Sequence, residues 1–93
     1  MPTLHTINKA SPDHTANSDC LRALVKGDAL VLIEDAVYLT QQKNVTRKSV
    51  VIFALQHDLH TRGLSPQKNK IQIITDAEFV ELCTQYEKVV SWF

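Results

Sequence analysis

Ala29-Leu30-Val31-Leu32-Ile33 is an unbroken apolar run, followed at once by Glu34-Asp35. A strand with one face in water alternates apolar and polar side chains, whereas a strand covered on both faces does not. The run is too short for a buried helix, and Gly27 stands just before it. It therefore reads as a central strand of a sheet with cover on both sides.

Similar apolar, β-branched runs lie at residues 4–7, 50–55 and 71–74. The stretches between them carry helical signals. Leu21, Leu24 and Val25 fall at i, i+3 and i+4, which predicts a helix capped by Asn17 or Ser18, with Gly27 free to take positive φ at its end. Ser11-Pro12-Asp13 is a turn signal ahead of it. Residues 36–41 predict a short helix, and residues 56–62 another, stopped by Gly63 with Pro66 beyond. Thr75 or Asp76 caps the last helix, with Glu78 placed for a capping box if Thr75 is the cap. Phe79, Leu82, Cys83, Tyr86 and Val90 share a face at helical spacing. Strands alternating with helices predict an α/β fold, with a mostly parallel four- or five-stranded sheet and helices on both faces. Such sheets place their chemistry beyond the carboxyl ends of the strands. Those ends read His5-Thr6-Ile7-Asn8, Glu34-Asp35-Ala36-Val37-Tyr38, Gln56-His57-Asp58-Leu59 and Thr75-Asp76.

The chain closes on Val89-Val90-Ser91-Trp92-Phe93. Two large aromatics left in water would forgo roughly 1.5–3 kcal/mol each of burial. This end either folds back as an edge strand or docks into a partner. Trp92 and Phe93, together with Tyr38, are the interface candidates.

The 93 residues are expected to form one domain, 1–93. A chain this short buries only about 60–65% of the surface its unfolded form exposes, which favours association with other chains. Ten Lys and Arg balance ten Asp and Glu, so the formal net charge is zero. Without a basic stripe carrying interleaved aromatics, direct nucleic-acid binding is not expected. The basic stretches 43–48 and 68–70 read as solvated loops. No signal peptide or apolar run of about 20 residues points to a membrane. Cys20 and Cys83 stand far apart with no C-x-x-C, as suits free thiols in a reducing cytosol. His57 and His60 are three apart, but two ligands do not make a metal site. Gly27 and Gly63 are the only glycines, and neither belongs to a phosphate-binding loop, so no nucleotide or flavin cofactor is expected.

Glu34 and Asp35 at a strand's carboxyl end could serve as an acid–base pair in a stand-alone homo-oligomeric enzyme. No nucleophile accompanies them, and a corner in which Asp35 caps the next helix is the plainer reading. His5, among apolar neighbours, reads as a core histidine bonded to backbone. Cys83 reads as a core position of the last helix.

Several pieces in order resemble one family. They are Leu4-His5-Thr6-Ile7-Asn8-Lys9-Ala10-Ser11-Pro12, then Gly27-Asp28 running into the central strand and on to Tyr38, then Ala54-Leu55, Asp58-Leu59 and Arg62-Gly63-Leu64. The segment from Asp76 to Phe79 and the terminal Trp92 complete the set. Together they resemble the small sulfur-relay subunits that include TusB and DsrH, over nearly the whole chain. Where that family usually has Gly after the acidic pair, this chain has Ala36. If that position needs φ > 0, Ala costs about 1 kcal/mol there.

The resemblance implies a DsrE-like three-layer fold of Rossmann or flavodoxin type. It implies a mainly structural, accessory subunit in a cytoplasmic persulfide-relay complex that supports 2-thiolation of the tRNA wobble uridine. The implied partners are TusC-like and TusD-like subunits in a dimer of heterotrimers. An upstream persulfide donor and a downstream sulfur acceptor are reached through that complex. Self-association of the isolated chain is consistent with the same unfilled surfaces. The alternative is a DsrH-type sulfur carrier in dissimilatory sulfur oxidation, with Cys20 as the persulfide site. By resemblance Cys20 matches a cysteine retained early in that branch. A carrier thiol needs access and a lowered pKa. Cys20 is expected in the first turn of its helix, where the unpaired N–H groups favour an anion. Arg22 helps and Asp19 opposes. A small buried thiol in a packing role is the competing reading.

Overall fold

The computed structural model describes residues 2–10, 15–41, 49–65 and 70–92, with side chains in the first helix described from Asp19 onward. Among the described residues five strands form one sheet: β1 Thr3–Ile7, β2 Ala29–Leu32, β3 Val51–Leu55, β4 Ile71–Ile74 and β5 Lys88–Trp92. Their spatial order is β4-β3-β2-β1-β5, and every pairing is parallel. The helices are α1 Thr15–Ala23, α2 Gln56–Thr61 and α3 Asp76–Gln85, with a 3₁₀ helix at Glu34–Gln41. The expected α/β sheet is present, in its five-stranded form.

Alternation along the strands divides the core in two. Ile7, Leu30, Leu32, Ile52, Ala54 and Ile71 face one side and pack with Cys20, Val37, Leu39 and Leu59 from α1, the 3₁₀ helix and α2. Leu4, Ala29, Val31, Phe53, Leu55 and Ile74 face the other, where, among the described residues, α3 is the helix that covers them, through Phe79, Leu82 and Cys83, with Tyr86 just beyond. β2 is buried along its whole length, which is why its sequence lacks alternation. No residue of α3 is fully buried, so that layer is thinly covered.

Local signals explain several boundaries. Thr75 caps α3: its hydroxyl oxygen accepts from the Glu78 amide at 3.2 Å, and the Glu78 carboxylate accepts from the Thr75 amide at 2.9 Å. That is the capping box expected from Thr75 and Glu78. α2 ends in a Schellman pattern: the Gly63 amide donates to the His60 carbonyl and the Leu64 amide to the Leu59 carbonyl. Gly63 takes φ +65°, and Leu64 packs on the same core as Leu59.

Four expectations need correction. α1 begins at Thr15 rather than after Asn17 or Ser18, because those residues' capping preference yields where the helix continues upstream. Cys20 is consequently mid-helix, beyond the turn in which the dipole acts. Val90 belongs to β5, not to the face of α3. Tyr86 is already extended (φ −111°, ψ 139°), and from Lys88 the β-branched pair follows the period of two. The left-handed residue of the acidic corner is Glu34 (φ +50°), whereas Ala36 lies buried within the 3₁₀ helix. The possible penalty at Ala36 therefore does not arise. Finally, His5 bonds to side chains rather than to backbone. The Ser11-Pro12-Asp13 turn, the stretch 43–48 and Phe93 lie outside the described residues.

Candidate functional site

Cys20 is fully buried beside Ile7, Leu30 and Val37. Burial pushes its thiol pKa up to about 12. Attack on a persulfide calls for an accessible thiolate, whereas this thiol lies in an apolar layer. Arg22, the expected helper, pairs instead with Asp19 at 2.7 Å on the exposed side of α1. Cys83 is half-buried on α3 and, like Cys20, is a free thiol.

The acidic corner is structural. Asp35 Oδ1 accepts from Arg62 Nε at 3.1 Å and Nη2 at 2.9 Å. The Glu34 amide donates to Asp58 Oδ2 at 2.7 Å, and Arg62 Nη1 donates to the Asp58 carbonyl at 3.1 Å. These bonds tie the 3₁₀ helix to α2. Asp35 thus engages Arg62 from across the corner. Tyr38, on the 3₁₀ helix, is exposed.

The buried polar centre of the molecule was not read from the sequence. Asp28, in the turn before β2, is 3% exposed. Its carboxylate accepts from the Thr3 amide at 2.9 Å and the Val25 amide at 3.2 Å, and lies 3.1 Å from His5 Nε2. Burial alone would raise its pKa, but the Thr3 and Val25 amides and His5 outweigh that and hold it below 3.8. On the other side of the ring, Trp92 Nε1 donates to His5 Nδ1 at 3.1 Å, and the two rings stack with centroids 6.2 Å apart. Trp92 therefore folds back onto the sheet. A Gly-Asp turn ahead of a strand was the available signal for Asp28, but its partners come from residues 3, 5 and 25, which no local pattern links.

A cleft of about 410 Å³ lies beyond the carboxyl ends of β3 and β4, lined by Gln56, His57, His60, Thr75 and Asp76. It forms there because α2 leaves toward one face of the sheet and α3 toward the other, the arrangement at which open α/β sheets hold ligands. None of these described lining residues is a cysteine. Among the described residues, no group of three or more His, Cys, Asp or Glu side chains is disposed to hold a metal ion. No helix among them is long and apolar enough to cross a membrane.

The family model for DsrH-like proteins matches residues 10–89. Protein TusB of Pectobacterium atrosepticum is 33% identical over 95 residues, covering 96% of this chain and 99% of the relative. The chain belongs to the TusB/DsrH family of sulfur-relay subunits. Protein TusB of Escherichia coli strain K12 is 35% identical over 98 residues, at the same coverage. The solution NMR structure of protein Tm0979 from Thermotoga maritima superposes with a TM-score of 0.66 at 26% identity, covering 90% of this chain and 94% of that one. Family membership and fold thus agree along nearly the whole length of this TusB/DsrH relative.

Proposed function

We propose that this chain is an architectural subunit of a cytoplasmic persulfide-relay complex that supports 2-thiolation of the tRNA wobble uridine. In this reading residues 1–93 form one domain that joins TusC-like and TusD-like subunits in a dimer of heterotrimers. It shapes the surface on which a neighbour's cysteine carries the sulfur. The observation that carries this reading is the burial of Cys20. A family member whose matching cysteine is sealed in the core, with its pKa at about 12, serves the relay by holding its partners. Its surface is consistent with that role. Ile73 on the edge strand β4 and Val89 on the edge strand β5 are both left about half in water, and Val80 on the thin α3 layer is more exposed still. Open sheet edges and exposed branched side chains favour association.

The test is co-expression with the two related small α/β chains from the same source, followed by native mass spectrometry. Recovery of a hexamer with two copies of each chain upholds the reading. Recovery of this chain alone overturns it. Incubation of the complex with a persulfide donor and intact-mass analysis then separates the scaffold from the carrier. Added sulfur on the TusD-like chain only is the expected result, and sulfur on this chain that disappears in Cys20→Ser establishes the DsrH-type carrier instead.

A further inference from the structure

Tryptophan Nε1–H can only donate, so the 3.1 Å bond from Trp92 requires a lone pair on His5 Nδ1. The ring proton is then on Nε2, where it donates to Asp28 Oδ2 at 3.1 Å. One tautomer of neutral histidine is thus selected by two partners far apart in the chain, residues 28 and 92. Asp28 is itself fixed by the Thr3 and Val25 amides. Trp92 is the last described residue of β5, the strand held beside β1 by main-chain pairing and by the Thr6 hydroxyl donating to Ser91 Oγ at 3.1 Å.

We propose that His5 is a proton-operated latch on the carboxyl-terminal strand. With Nδ1 unprotonated, His5 holds the Trp92 indole against the sheet. A proton taken from solvent at Nδ1 turns that nitrogen into a donor, sets N–H against N–H, and expels the indole. The imidazolium stays behind as the ion-pair partner of the Asp28 carboxylate, which keeps its charge throughout. No bond other than N–H is made or broken.

The charges around the ring define the balance. From the turn before β2, the Asp28 carboxylate faces the ring at 3.1 Å, with exposed Lys26 two residues ahead of it. From β5, exposed Lys88 stands two residues before Val90, the residue in register with His5. From α1, Cys20 is a neutral thiol, while Asp19 and Arg22 neutralise each other on the outer face. On β1 itself no other residue is ionisable, and Lys9 lies beyond its far end.

Trp92 is the only tryptophan, so its emission reports the latch directly. Fluorescence of the full chain would be followed from about pH 8 to about pH 5, the interval in which histidines change charge. A red shift is expected, with the midpoint of the His5 imidazole NMR titration, with unchanged far-UV circular dichroism, and absent in His5→Gln. Emission that stays constant, the same transition in His5→Gln, or loss of secondary structure at the same midpoint each overturns the proposal. Should His5→Gln fail to fold, the wild-type tautomer decides. Long-range 1H–15N spectra at neutral pH are expected to show Nδ1 bare and Nε2 protonated, and a proton on Nδ1 overturns the latch.

Discussion

The Asp28 carboxylate lies 3.1 Å from His5 Nε2 while accepting the amides of Thr3 and Val25, so one buried side chain ties together the start of β1, the end of the α1 turn and the ring beneath β5. Removing it strands two amide donors. Asp28→Ala is expected to lower unfolding stability by about 1–3 kcal/mol, the penalty for unsatisfied buried polar groups. Asp28→Asn, which keeps one acceptor oxygen, should cost less. Because the folded pKa is held below 3.8, the carboxylate's contribution is present above that value and is lost as the pH falls through the folded pKa. Urea titrations at a series of acidic pH values should show a drop in wild-type stability below about pH 4 that is shallower in Asp28→Asn. An equally steep drop in the variant would refute this assignment.

The layer over the second face rests on α3, which has no fully buried residue. Its stability leans accordingly on its start. Thr75→Ala breaks one half of the capping box and should cost about 1 kcal/mol, measurable as a lower denaturation midpoint with an unchanged m-value. Thr75→Ser keeps the accepting oxygen and should stay close to wild type. If Thr75→Ala is silent, packing rather than capping holds the helix.

What could be read from the sequence follows the range of each interaction. β2 and β3 were legible because burial on each face leaves a direct imprint on their composition, and Thr75 with Glu78 was legible because a capping box is complete within one turn. The strand at Lys88–Trp92 was legible only as one of two choices, since Trp92 finds its partner 87 residues away. The early start of α1 was missed because a Ser or Asn can cap a helix or continue one, and only tertiary packing decides. That shift of boundary moved Cys20 from a helix start to mid-helix, so a small error in an element's limits altered a conclusion about chemistry. Asp28 was missed for the reason that makes it central: two of its three partners, Thr3 and His5, lie 25 and 23 residues away in sequence.

Glu34 is a test of backbone strain with little packing to confuse it. Its φ of +50° is costly for a side chain with a Cβ, and the residue is exposed. Glu34→Gly relieves the strain but loosens the unfolded chain, so a gain no larger than about 1 kcal/mol is expected. Glu34→Val places a β-branched residue where such residues are outliers and should be destabilising by at least about 1 kcal/mol. The amide bond to Asp58 survives in both, which leaves the dihedral as the variable. Equal melting temperatures for the two variants would show that the corner relaxes freely.

Cys20 offers both a reactivity test and a pH test. In the native protein a maleimide should modify Cys83 first, with Cys20 reacting only on unfolding, as intact mass would reveal. Cys20→Ser puts a hydroxyl into the apolar layer of Ile7, Leu30 and Val37 and should cost about 1–3 kcal/mol. The folded thiol holds its proton to about pH 12, whereas the ordinary value is 9.0. Between those values the unfolded chain has lost a proton that the folded chain retains, so stability declines as the pH rises. Urea midpoints measured from about pH 8 to about pH 10 should fall more steeply for wild type than for Cys20→Ala. Parallel slopes, or rapid native labelling of Cys20, would mean that the thiol reaches solvent, and the scaffold reading would give way to that of a sulfur carrier.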